Sequence, residues 1–293
     1  MSARPFLANT IVKEALAEFL GTATLMVFGI GSVAQFVLSE GKTGTPDQIR
    51  WSWGLGVTFG VYVAGGISGG HLNPAVTLTL CLFKRVPWAK LLPYWLGQYL
   101  GSFIAACLVY LVYYDALGEF KGGNQTLETA GIFSTYPQDY LSVANGLGDQ
   151  IFGTAVLMLL VLAITDQNNM APSKGYVPVL VGLVVVVIGM TFSQNCGYAI
   201  NPARDLSPRL FTLVAGWGKK VFSVNNYKWF WIPILGPHIG AVLGGGIYEL
   251  CIGLRLPCIE RQDQESAGED GIGDTPESAN VVGISGDKDV NSI

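Results

Sequence analysis

Six apolar runs dominate this chain, at about Ala15–Leu38, Trp51–Gly66, Leu91–Tyr113, Leu147–Ile164, Tyr176–Phe192 and Phe230–Leu254. A helix crossing a ~30 Å hydrocarbon core needs about 20 residues, so the runs fit, the second and fifth being short. Only 13% of the residues are charged, and half are apolar, against about 25% charged in an ordinary soluble domain. A soluble core of buried helices mimics one such run, not six. The expected fold is an all-α, polytopic membrane protein. The opening MSARPFLANTIVKEA carries little charge and no small-residue cleavage site after a short apolar core, so the first run reads as a retained span.

Residues 260–293 are different in character. They hold nine acidic and two basic residues, many Gly and Ser, and almost no aromatics, which is the composition of a disordered tail. The expected organisation is a membrane domain over 1–257 and an acidic cytoplasmic tail over 258–293. Ser266, Thr275 and Ser278 are candidate regulatory positions in that tail. The net charge of −4 comes largely from it. The cysteines Cys81, Cys107, Cys196, Cys251 and Cys258 show no metal-ligand spacing and no disulfide framework. No metal, cofactor or nucleic-acid partner is expected.

Lys and Arg near the spans favour a cytoplasmic N-terminus by eight against six, a narrow margin. Asn124-Gln125-Thr126 is an N-glycosylation acceptor triplet between the third and fourth runs. With the N-terminus inside, that segment is extracellular.

The tripeptide Asn73-Pro74-Ala75 recurs as Asn201-Pro202-Ala203, 128 residues on, each time between the second and third span of its half. Glu18-Phe19-Leu20-Gly21-Thr22 is echoed by Gln150-Ile151-Phe152-Gly153-Thr154. The chain therefore reads as two copies of a three-span unit, over about 10–115 and 145–256. Three is odd, so the second copy runs inverted, which puts the functional site near the midplane between the halves.

Proline suits the first position of a helix and asparagine the position before it. The spacing predicts half-helices from Pro74 to about Leu82 and from Pro202 to about Thr212. Each is roughly 15 Å long, enough to reach the bilayer centre but not to cross. Their N-termini meet there, presenting two positive dipole ends and two asparagine amides to a shared lumen. Non-helical backbone at that depth is tolerated only when buried or lining water.

With both motifs intact and Arg204 following the second, the chain resembles the aquaporin (major intrinsic protein) family over about residues 10–256, and its aquaglyceroporin branch in particular. The resemblance implies six transmembrane helices and two re-entrant half-helices, a homotetramer with one pore per subunit, and plasma-membrane localisation with both termini cytoplasmic. It implies a passive pore for glycerol, water and other small uncharged solutes such as urea. The narrowest point would be formed by Trp53, Gly189, Tyr198 and Arg204. Water-selective members carry a histidine where this chain has Gly189, so a wider ring is expected here. Trp53 and Tyr198 would form an apolar corner, with Arg204 donating to hydroxyls opposite. Taken singly, Trp53 also fits an interfacial anchor and Gly189 a packing position. Arginine beside a membrane-depth helix start needs partners or a wet cavity.

Asp205, Arg209 and Pro237 are further traits that resemble the glycerol branch. Asp205 and Arg209, at i and i+4, can pair, a role in holding the loop. Glu18 would brace the first half-helix loop, although a proton relay is the other reading of a lone deep carboxylate. Gln150 stands where the second copy often has its own glutamate; it keeps hydrogen-bonding capacity and loses the charge. His71 would order the approach to the pore, and His238 stands where the branch has an apolar residue. A secondary transporter would need coupling carboxylates at depth, and only Glu18 is available. An intramembrane enzyme would need a catalytic constellation that two distant histidines do not provide. Within the channel class the competing reading is a water pore that excludes glycerol.

Overall fold

The computed structural model describes residues 10–255. The expected tail from 258 onward, with Cys258, Ser266, Thr275 and Ser278, lies outside the described residues. Among the described residues the principal helices are α1 (Thr10–Leu38), α2 (Pro46–Ala64), α3 (Pro74–Leu82), α4 (Leu91–Val112), α5 (Val143–Thr165), α6 (Val177–Phe192), α7 (Pro202–Thr212) and α8 (Ile232–Cys251). Shorter helical turns occupy the connections, at Tyr114–Glu119, Leu127–Ala130 and Lys220–Tyr227 among others.

Three helices, α1, α2 and α5, start earlier than the apolar runs announce. Thr45 caps α2, its side chain accepting from Gln48 N with Pro46 at the first position, so the helix includes a polar first turn. Ser142 caps α5 by accepting from Asn145 N. Hydropathy does not register such turns, because the caps are set by polar side chains. Among the described residues, four helical segments are long and apolar enough to cross a membrane: Thr10–Leu38, Trp88–Val112, Val143–Thr165 and Ile232–Cys251. The fifth expected span remains short, α6 having 16 residues, roughly 24 Å.

Helix α1 packs on α2 and α4, α5 packs on α6 and α8, and α2 and α6 join the two halves. At that join Gly54 meets Gly182. A Cβ on Gly54 would stand 2.6 Å from Gly182 O, and one on Gly182 would stand 2.5 Å from Gly54 O. These two glycines are 128 residues apart, as Asn73 and Asn201 are, so the contact is made by equivalent positions of the two copies. Close helix approach through small residues is the usual packing device inside a membrane, where apolar burial does not drive helices together. Each half-helix packs against the last helix of the opposite copy, α3 on α8 and α7 on α4. The functional centre is thereby held by both repeats.

Candidate functional site

The half-helices meet head to head. Asn73 is the N-cap of α3, with φ −150° and its Oδ1 accepting from Ala75 N at 2.9 Å. Asn201 is the N-cap of α7 and accepts from Ala203 N at 3.0 Å and Arg204 N at 3.3 Å. Each amide also donates across to the other loop. Asn73 Nδ2 reaches Ile200 O at 2.9 Å, and Asn201 Nδ2 reaches Leu72 O at 2.8 Å. An Asn NH2 carries two hydrogens, so one on each is left for the lumen that both residues line. Helix α4 clasps both motifs: Trp95 Nε1 donates to Pro74 O at 3.0 Å, and Ser102 Oγ donates to Ala203 O at 2.7 Å.

The residues that supply the acceptor carbonyls are left-handed, Leu72 at φ 53° and Ile200 at φ 42°. Backbone of this kind is unfavourable for bulky or branched residues and persists only where the surroundings impose it. In the first copy Glu18, fully buried, does the imposing. Its Oε1 accepts from Ser68 Oγ at 2.5 Å and His71 N at 2.9 Å, and its Oε2 from Leu72 N and Gln98 Nε2, both at 2.8 Å. His71 packs against the Tyr94 ring and lies 3.1 Å from Thr77 Oγ1 through Nδ1. In the second copy Gln150, also fully buried, accepts from Ile200 N at 3.1 Å.

A cavity of about 320 Å³ runs between the copies, from Arg85, Val86 and Thr165 at one end, past Asn73 and Asn201, to Trp53, Tyr198 and Arg204. Much of its wall is aliphatic, with Val57, Val76 and Leu157 among the lining residues. In the two loops before the half-helices, the carbonyls of Gly69, Gly70 and His71 and of Gly197, Tyr198 and Ala199 accept no protein donor among the described residues. A second cavity of about 360 Å³ lies beyond, bordered by Arg50, Tyr136, Ser193 and Cys196. Trp53, Tyr198 and Arg204 line both. They are the partition between lumen and vestibule.

At that partition the Arg204 guanidinium lies 4.1 Å over the Trp53 ring, and its NH1 donates to Phe133 O at 3.1 Å. The expected arrangement, with the arginine across the slot from an aromatic corner, is therefore modified. Cation–π attraction, strong when desolvated, brings guanidinium and indole into contact. The other guanidinium N–H groups meet no protein acceptor among the described residues. Gly189 also departs from expectation. It does not line either cavity, and the space a side chain would take is filled by Tyr198: a Cβ at 189 would stand 2.8 Å from Tyr198 Cζ. Gly189 thus acts by seating the Tyr198 ring. The Tyr198 hydroxyl has no hydrogen-bond partner among the described residues.

Asp205 and Arg209, both fully buried, form their i, i+4 pair at 2.7 Å. Neither lines the cavities. Asp205 Oδ2 accepts from Thr135 N at 2.7 Å and Thr135 Oγ1 at 2.5 Å, while Arg209 donates to Thr135 O and Val221 O. The pair fixes the α4–α5 connection, whose Phe133 carbonyl in turn fixes Arg204. Burial pushes the phenol of Tyr136, in the same connection, up to about 12, so it remains a donor at neutral pH. Asn124 is exposed in this connection, its Nδ2 donating to Lys121 O at 3.2 Å. His238 lies apart from the lumen, edge-on to Trp95, with Nδ1 2.8 Å from Ile234 O. Sequence reasoning missed Gln98 and Ser102, although two polar residues four apart in an apolar run were a signal. It missed the Phe133 carbonyl because a main-chain oxygen has no residue signature.

Comparison with known proteins gives the same picture. Residues 6–248 match the family model for the major intrinsic protein. The chain is 50% identical over 271 residues to Aquaporin-10 of Milnesium tardigradum, covering 87% of this chain and 66% of that protein. It is 48% identical over 259 residues to human Aquaporin-9, covering 87% of each. The X-ray structure of the aquaglyceroporin from Plasmodium falciparum superposes with a TM-score of 0.75 at 31% identity, covering 83% of this chain and 98% of that one. With two capped half-helices joined at their N-termini and a family match along nearly the whole described length, the chain belongs to the major intrinsic protein family and has the aquaporin fold.

Proposed function

We propose that the protein is a passive transmembrane channel for glycerol and water, and for other small uncharged solutes such as urea. The observation that carries this reading is the partition formed by Trp53, Tyr198 and Arg204. It offers two aromatic surfaces to a carbon backbone, with the Arg204 guanidinium for its hydroxyls. Beyond it, the lumen is lined by aliphatic side chains and by the two loops whose carbonyls are unpaired, an amphipathic lining suited to a polyol. Selectivity with fast passage needs binding that is favourable but weak. The likeness to an aquaglyceroporin structure supports the substrate class. Cations and protons are opposed by Arg204 and by two helix N-termini facing the centre, and the spare asparagine hydrogens orient passing oxygens. The functional unit is a homotetramer in the plasma membrane with both termini cytoplasmic, and Asn124 is its glycosylation site. Stopped-flow light scattering on proteoliposomes tests the substrate reading. Both rapid osmotic shrinkage and rapid glycerol-driven reswelling are expected. Shrinkage without glycerol entry would overturn the polyol reading and leave a water-selective pore.

A further inference from the structure

The two copies do not brace their loops alike. Glu18 accepts from both His71 N and Leu72 N, whereas Gln150 Oε1 accepts from Ile200 N alone. The N–H of Ala199, equivalent to that of His71, meets no acceptor among the described residues. A glutamine has one acceptor oxygen and an NH2 that only donates. Its oxygen faces Ile200 N only if the NH2 finds acceptors on the other side. Those acceptors are Asp149 Oδ1 and Cys196 Sγ, each 3.2 Å from Gln150 Nε2. The Cys196 thiol also donates to Asp149 Oδ1 at 3.2 Å, and Asn195 Nδ2 donates to Asp149 Oδ2 at 2.9 Å.

We propose that Asp149 is a positioning residue for the pore's partition, replacing by one step along α5 the carboxylate that position 150 lacks. The inference rests on the channel reading above. A carboxylate only accepts, so it forbids the turned-over amide that would set NH2 against Ile200 N–H. Through Gln150, Cys196 and Asn195 it holds the segment that carries Tyr198, whose φ of 38° and Ile200's of 42° need outside restraint. Asp149 lines neither cavity, and its hydrogen bonds go to Gln150, Asn195 and Cys196, so it acts on Tyr198 through the loop.

The test compares wild type, Asp149→Ala, Gln150→Glu and the double variant in proteoliposomes, normalised to folded protein. Asp149→Ala is expected to lower the ratio of glycerol to water permeability roughly fivefold, the equivalent of one hydrogen bond. Gln150→Glu alone sets two carboxylates side by side and is also expected to lower it. The double variant returns the ratio to within about twofold of wild type, a coupling that independent sites do not show. An unchanged ratio in Asp149→Ala, or a double variant no better than the worse single, overturns the proposal. A second readout is labelling of the Cys196 peptide by a small maleimide, followed by mass. A carboxylate beside a thiol suppresses the reactive thiolate, so labelling is expected to rise roughly tenfold in Asp149→Ala and fall again in the double variant. Were wild type to pass no glycerol, the polyol reading alone would fail, and unchanged Cys196 labelling would still overturn this one.

Discussion

Glu18 shows how much one side chain sets at this site. Four donors converge on it, two of them backbone N–H groups of the loop before Asn73. Replacing it with glutamine keeps the shape and leaves one acceptor oxygen for that crowd. Hydrogen bonds to charged groups contribute about 1.5–3 kcal/mol each, so Glu18→Gln is expected to cost roughly 3 kcal/mol. Thermal unfolding in detergent measures this, and an unchanged midpoint would refute the bracing role. Gly189 is the second case at this scale. Even the Cβ of alanine meets the Tyr198 ring, and a histidine there pushes the ring into the passage. Gly189→His is expected to slow glycerol entry at least roughly tenfold while water flow survives, read by the same reswelling assay. The residue type at 189 was legible as a departure from the water-selective pattern. That its vacated volume seats Tyr198 was not, because the two residues are brought together by loop geometry.

At the scale of the element, each half-helix depends on an asparagine that works in two directions. The oxygen caps its own helix and the amide hydrogen ties down the opposite loop. Loss of a cap costs about 1 kcal/mol. Because the crossing bonds are made at the same junction, the two losses are not independent. In a cycle of Asn73→Ala, Asn201→Ala and the double variant, a coupling of at least about 0.5 kcal/mol is expected. Strict additivity in the unfolding midpoints would show the crossing bonds to be unimportant. The half-helices were legible in the sequence down to their ends, Pro74–Leu82 and Pro202–Thr212, since Asn-Pro is a local signal. The starts of α2 and α5 were not, because a hydropathy window does not register a polar first turn.

Over the whole molecule, the two copies join where α2 crosses α6 at Gly54 and Gly182. A side chain at 182 would also meet Thr58 Oγ1 at 2.0 Å, so Gly182→Val forces the helices apart. Overpacking costs typically 1–3 kcal/mol, and the expected result is loss of folded protein by size-exclusion chromatography. Gly31→Ala, where a Cβ meets nothing within 4 Å, is the control expected to fold normally. From the sequence alone came the spans, the inverted repeat, the half-helices and the family resemblance. Each rests on composition or local pattern, which a linear chain displays. Only the tertiary structure placed Arg204 on Trp53, bound it to Phe133 O, and put Asp149 and Cys196 behind Gln150. Those contacts join residues from separate segments through main-chain oxygens and side-chain directions, which exist only once the two repeats have closed on each other.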